Sequence, residues 1–440
     1  MPYDGRMSSD LPRLHDELLF LCAYPPSADA LRSAESQLSR FAGRMKGLDP
    51  LLDPEVSGIA GTEVDMIFSC DFVRWLAQRF PRQVRIDRDE RPDSDRIGAV
   101  LTHVMPMLIE EVVDAHPPYF ETLLKHGLPW LLDHVTADQY DSLGLWIRWK
   151  FGAANSRTLM RRKPRRIFYR NGPLLARRDV SIERELAGPR MPITKLSRRD
   201  GEKALEMVRA ALATRYRELY NFTFGDPSTI ISADAGRGLE ILLFGLRPER
   251  RLPLRAGFAP VLFRNGVPIG YGDAFGLCER MEVSFNIFYA FREGESAYAF
   301  ARLLKLYRQV FGSTVFTVAP YQIGFENDEA IEAGAFWFYR KLGFRSTDPQ
   351  IERIAMREEA RIADDPDYRT SRRVLRTLAR SSMAYGARDW DHFRIHEVVT
   401  KGFELPRDLK RAKRGRTEQR YLKMMAQNAT VRRALLASSR

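Results

Sequence analysis

The residues best suited to chemistry sit in one short turn, Phe291-Arg292-Glu293-Gly294-Glu295-Ser296, between an alternating apolar stretch and a helical one. Backbone N–H groups at the first turn of a helix carry partial positive charge and can chelate a diphosphate. Gly294 permits a bend without a Cβ clash, Ser296 is a suitable N-cap, and Arg292 can add a charge-assisted contact. A second glycine turn, Gly236-Arg237-Gly238, is followed by Arg247, Arg250, Arg251 and Arg255. It reads either as a phosphate loop or as an arginine-rich surface hairpin, and G-x-G alone is too short to choose. Cys22, Cys70 and Cys278 lie far apart with no C-x-x-C pair, which argues against a disulfide framework or a thiolate zinc site. Cys278 has no evident histidine partner for nucleophilic catalysis. His103, His116, His126 and His134 show no metal-ligand spacing, so no metal is expected.

The turn at Gly294 needs a strand before it and a helix after it. Met281 to Phe291 supplies the strand: Val283, Phe285, Ile287, Tyr289 and Phe291 alternate with Glu282, Ser284 and Asn286. Ala297 to Phe311 returns to helical period, with Phe300, Ala301 and Leu304 on one face. Val315 to Ala319 reads as a buried strand. A helix is then expected from Ala330 to Arg345, with Ile331, Gly334, Ala335, Phe338 and Leu342 as its buried stripe. Gly343 falls where a left-handed C-cap is wanted, and Phe344 can fold back on the last turn. Upstream, Pro192 to Leu196 reads as a short strand. Ser197 to Asp200 opens a helix in the manner of a capping box and continues through Ala204 to Tyr220. Phe258 to Phe263 and Val267 to Ala274 flank Asn265-Gly266, a strong hairpin signal. The order β-α-β-β-β-α-β-α predicts an α+β fold with a parallel crossover near its end.

A chain of 440 residues is too long for one ordinary domain. Residues 1–155 read as a helical domain, with Val64, Ile67, Phe68, Phe72, Trp75 and Leu76 on one face over three turns. Residues 156–189 read as a basic linker, 190–348 as the α+β domain, and 349–440 as a basic, mainly helical extension. The net charge of +13 is uneven. Residues 351–440 carry 22 Lys+Arg against 12 Asp+Glu, and a second cluster runs from Arg157 to Arg170. Such patches attract phosphates on nucleic acid, a membrane surface or a phosphorylated carrier. The segment at 409–423 reads as a partner-binding helix or a solvated end. No apolar run reaches the roughly 18 residues that span a bilayer, and the first residues lack the pattern of a secretory signal. A cytoplasmic location is expected.

The element order, together with FYRKLGF at 338–344, resembles the GNAT superfamily of N-acyltransferases over about residues 190–345. Ala335, Tyr339, Lys341, Gly343 and Phe344 match the family's A-x-x-x-Y-x-K-x-G-F pattern in the helix beside the coenzyme. The family's pyrophosphate turn, Q/R-x-x-G-x-G/A, falls on Phe291 to Ser296. The resemblance implies a GNAT-like mixed sheet flanked by helices and an acyl-CoA donor, or an acyl carrier protein suited to the basic patches. It implies Tyr339 as proton donor to the leaving thiolate and Glu282 as the base that takes the amine's proton through water. Coenzyme contacts are implied at Phe291, Arg292, Glu293, Gly294, Glu295, Ser296, Ala335 and Lys341. The chain departs from the pattern in four ways. Phe291 stands where Gln or Arg is usual, Ser296 where Gly or Ala is usual, and Glu332 where the family has asparagine. After Arg345, where the family has two more strands, Pro349 onward reads helical. Two other functions fit the same residues: an aminoacyl-tRNA-dependent transferase, or a non-catalytic module binding RNA or a protein partner. The amine acceptor is not legible.

Overall fold

A computed structural model describes residues 6–45, 58–104, 118–251, 256–277, 279–365 and 367–386. Arg255, Cys278, His116 and the basic segment at 409–423 lie outside the described residues. The chain forms two compact units. The first comprises residues 1–165, 202–223 and 266–268; the second comprises 166–201, 224–265 and 269–440.

The first unit is not purely helical. Three strands, β1 (Glu63–Ile67), β2 (Val84–Ile86) and β3 (Trp146–Lys150), form an antiparallel sheet in the order β1-β3-β2. The apolar residues expected to share one helical face are divided between β1 and a helix, Cys70–Arg79. Ser69 makes the break by accepting a hydrogen bond from the Phe72 N–H, and it is itself held by Glu218. Spacings of three and four residues bury side chains in a strand-then-helix arrangement as readily as in one helix, so periodicity alone misassigns β1. Arg148 on β3 crosses the sheet to Asp65 and Asp87, each at 2.8 Å. The core gathers Phe68, Phe72, Leu131 and Trp149 with Ala210, Ala211 and Ala213 from the helix Arg198–Ala213. The helical segment expected within the α+β domain thus contributes apolar residues to this core.

The second unit is a mixed sheet flanked by helices. Its strands are β4 (Ile193–Lys195), β5 (Gly225–Asp234), β6 (Leu239–Leu246), β7 (Ala256–Arg264), β8 (Val267–Tyr271), β9 (Ala274–Leu277), β10 (Arg280–Val283), β11 (Asn286–Ile287), β12 (Val315–Val318), β13 (Arg345–Ser346) and β14 (Met383–Tyr385). The main path runs β13-β14-β12-β10-β9-β7-β6-β5-β4, with β8 and β11 paired beside it. β10 and β12 are parallel, joined by the crossover helix Ser296–Phe311. Their outer neighbours, β9 and β14, are antiparallel to them.

Two strand expectations change. The stretch Met281 to Phe291 is broken: β10 pairs with β9, β11 pairs with β8, and Tyr289–Phe291 is a 3-10 turn. Backbone approach forces this geometry on the facing chain. A Cβ at Gly270 would lie 2.4 Å from the Asn286 oxygen, and one at Gly272 would lie 2.2 Å from the Ser284 oxygen. Beyond Arg345, the helix expected from Pro349 is present (Pro349–Asp364), but two strands accompany it. β13 precedes that helix, and β14 follows a second helix, Arg372–Leu378, and inserts between β12 and β13. Strands of two and three residues are too short to display period-two alternation.

Candidate functional site

The crossover helix begins at Ser296, so Glu295 rather than Ser296 occupies the N-cap position, and it makes no side-chain cap bond. The first N–H groups of any helix lack intrahelical acceptors, so this end presents donors. Glu295 turns its carboxylate inward instead. It is 1% exposed and accepts hydrogen bonds from Arg237 (2.5 and 3.2 Å), Arg264 (2.7 Å) and the Leu175 N–H (3.1 Å). Burial pushes its pKa up, but the Arg237 hydrogen bond, the Arg264 charge and the Leu175 N–H outweigh it and hold the carboxyl below its usual range. Phe168 lies under both guanidinium groups, 5.0 Å from Arg237 and 5.5 Å from Arg264. Asn265 fixes Phe168 by bonding its N–H and its C=O.

This arrangement settles the Gly236-Arg237-Gly238 turn. It joins β5 to β6 as a hairpin, with Arg237 at φ 53° between two glycines of positive φ. Its side chain is committed to Glu295 and its backbone is closed in. A Cβ at Gly238 would meet Asn265 at 2.5 Å. Arg250 lies over the Phe224 ring, while Arg247 and Arg251 bond backbone oxygens near the ends of β5 and β6.

The six turn residues therefore divide. Phe291 is fully buried and Glu295 is clasped, so neither side chain is turned toward a coenzyme. Arg292 stacks on Tyr289 at 3.6 Å and pairs with Glu329 at 2.9 Å. Glu293 is exposed, and the Gly294 N–H closes the turn on the Phe291 oxygen. What remains near the helix start is two arginines against one carboxylate, a local positive excess beside exposed-end donors.

The helix expected at 330–345 is two helices. Asp328–Glu332 is capped by Asn327, and the capped helix Ala335–Lys341 follows a break at Gly334, φ +66°. Glycine there serves the left-handed backbone, not a buried stripe. The C-terminus is as expected. Gly343 has φ +97°, its N–H bonds the Arg340 oxygen, and the Phe344 N–H bonds the Tyr339 oxygen, which is the Schellman pattern. Phe344 is fully buried against Tyr339, Phe300 and Tyr385.

Tyr339 is 2% exposed, packed edge-on to Phe300 at 5.3 Å. Among the described residues its hydroxyl has no hydrogen-bond partner. Burial drives its pKa well above the usual phenol range, so it stays protonated. Ala335 is half-buried at the first position of the capped helix, and Lys341 is exposed at the last. Glu332 pairs with Arg372 at 2.7 Å.

No protein-family model, characterised protein or solved structure matches this chain. The geometry of the second unit alone carries a functional reading.

Glu282 lies on β10, opposite Thr317 on the parallel strand β12 and Phe275 on β9. Its carboxylate pairs with Arg280 at 3.0 Å. The β10–β12 register ends at Glu282 and Thr317; beyond it the chain leaves to pair with β8. Alternation sets the faces. Val283, Phe285 and Phe316 share the face against which Phe300, Tyr339, Phe344 and Tyr385 pack. Glu282 and Thr317 point to the opposite face, so the structure does not bring Glu282 and Tyr339 onto one surface of the sheet. Thr317 is a residue that sequence reading missed. Its hydroxyl is buried and unpartnered, one strand across from Glu282. Nothing in a run reading TVFTVA marks it; only the register does.

Proposed function

We propose that the second unit is an N-acyltransferase of GNAT type, moving an acyl group from an acyl-CoA to an amine by direct attack. One observation carries this reading: a parallel strand pair, joined by a helical crossover, stops pairing at Glu282 and Thr317 and leaves a gap between two strands. A thioester arm entering such a gap would meet backbone N–H groups freed from the ladder, which can hold the thioester oxygen. The open, locally positive start of the crossover helix suits the coenzyme's phosphates. In this reading the N–H groups of the turn carry that role, and the side chains of Phe291 and Glu295 do not.

Each face of the sheet then has one proton task. An alkylamine with a pKa of about 10.4 is neutral in only roughly one part in two thousand at pH 7, so a base must accept its proton. Glu282 takes that role through water, its carboxylate oriented by Arg280. On the other face, Tyr339 is held protonated by burial and donates to the departing thiolate. The gap between the strands is where the two faces communicate.

Calorimetric titration of the full chain with CoA, acetyl-CoA and longer acyl-CoAs tests this, with the 260/280 absorbance ratio recorded beforehand. Binding of an acyl-CoA is expected, and Tyr339→Phe is expected to slow thiol release at least tenfold with little change in affinity. No CoA binding, with nucleic acid co-purifying, would sink the proposal in favour of an RNA-directed role.

A further inference from the structure

The capped helix carries two side chains one turn apart, Trp337 and Lys341, on one face. The Trp337 indole N–H is buried and has no hydrogen-bond partner. Lys341 forms no ion pair with any described residue. Two other segments converge here. The turn Arg177–Asp179 packs on the crossover helix, and the neighbouring Leu175 N–H bonds Glu295 at that helix's start. The crossover helix also supports the capped helix through Phe300 and Tyr339. From the other side, Tyr368 bonds Glu358, Arg372 pairs with Glu332 and Arg376 with Asp328, which ties the segment 368–376 to the same helices. Within that segment the Thr370 hydroxyl is buried and unpartnered.

The charges agree with the placement. Burial, then Arg177, then Arg369, hold the Lys341 ammonium below the usual lysine range. Burial likewise depresses Arg177, for which no described carboxylate offers a partner. One acid acts on Lys341, Glu359, and it is committed to Arg340 at 2.9 Å. Proteins rarely bury hydrogen-bond donors without acceptors, and rarely gather cations without acids, unless something else supplies the negative charge. Here both occur together.

We propose that Trp337, Lys341, Arg177 and Thr370 form a binding site for a phosphate group. The site is built from donors: two cations for the charge, an indole N–H and a hydroxyl for oxygen atoms. It is separate from the start of the crossover helix, and it stands whether or not the protein uses an acyl-CoA. The phosphate can come from free inorganic phosphate or from a terminal phosphomonoester on a nucleotide-type cosubstrate.

The test is binding of phosphate, pyrophosphate, CoA and 3′-dephospho-CoA to the full chain by calorimetry and by thermal shift. The variants are Lys341→Met and Arg177→Met, alone and together, with Arg247→Met as a control on another surface. Phosphate or pyrophosphate should bind the wild type and the control, and the double variant should lose at least tenfold in affinity. Trp337→Phe, which keeps both cations, should lose affinity more modestly and remove a fluorescence change seen on phosphate addition. If the tenfold loss appears with CoA and not with dephospho-CoA, the 3′-phosphate is the occupant. If it appears only with the inorganic ions, free phosphate is. Absence of phosphate binding at millimolar concentration, or equal affinity in wild type and double variant, overturns the site. CoA binding that survives in the double variant leaves the acyltransferase proposal untouched.

Discussion

Two adjacent cations on the capped helix have opposite electrostatic situations. Arg340 is 2% exposed and fully paired: it reaches both oxygens of Glu352 at 2.6 Å and Glu359 at 2.9 Å. Lys341, the next residue, faces Arg177 and Arg369 with no acid of its own. One face of the helix is closed by charges the chain supplies, joining it to Pro349–Asp364 and, through Glu352 and the Ser346 N–H, to β13. The other face is left short of negative charge. The Glu295 cluster follows the closed pattern, since its two arginines are satisfied internally. The difference teaches where to look for a ligand: charge already answered within the fold builds structure, and charge left unanswered waits for something from outside.

The largest expected effect comes from breaking the closed face. Arg340→Ala removes a guanidinium that bridges two glutamates. Loss of one partner from a fully buried pair costs about 3–5 kcal/mol. Glu352 and Glu359 are 22% and 44% exposed, so water can rescue them and about 2–3 kcal/mol is expected. Urea unfolding of the full chain, with the midpoint lowered and the slope unchanged, would register it. Arg340→Met keeps the apolar stem and loses only the pairing. If that variant is as stable as wild type, the pairs contribute nothing and the contrast between the two faces fails.

A smaller effect is expected where the two faces share a support. Gly343 holds φ +97° to end the helix, and a Cβ there would approach the Tyr385 ring at 3.2 Å. Gly343→Ala should cost about 1–2 kcal/mol, the price of a left-handed L-residue. It should weaken phosphate binding and thermal stability together, because Lys341 sits one turn back from the cap. Loss of stability with phosphate affinity intact would show that the Lys341 face is positioned independently of the cap.

How far the sequence reveals these features depends on distance along the chain. The Gly343-Phe344 cap was legible because all its bonds lie within six residues. The parallel crossover was legible because β12 and the crossover helix each carry their own periodicity. Glu295 was not legible as a structural anchor: its partners Arg264, Arg237 and Leu175 stand 31, 58 and 120 residues away. The same residue type at the same turn looked like part of a phosphate loop. β1, β13 and β14 escaped for a different reason. Short strands, or strands running directly into a helix, offer too few residues to distinguish a period of two from 3.6. Arg177 read as part of a linker, and only the fold brings it to Lys341.

The smallest effect tests the open face most directly. Lys341→Met removes one of several like charges, so without phosphate the variant should be slightly more stable than wild type, by at most about 0.5 kcal/mol since the group is exposed and screened. The sign follows from linkage. The Lys341 pKa is lower in the folded chain, so between its folded and unfolded values the unfolded chain binds more protons. The penalty is full below the folded pKa and fades as pH rises through it. The advantage of the variant should therefore shrink toward alkaline pH, and 1 M salt, with a screening length of about 3 Å, should erase it. Phosphate should reverse the order, because a ligand bound only to the folded wild type stabilises it by mass action. A variant that is less stable than wild type in phosphate-free buffer would mean that Lys341 already has its counter-charge within the chain, and the two faces of the helix would then be alike.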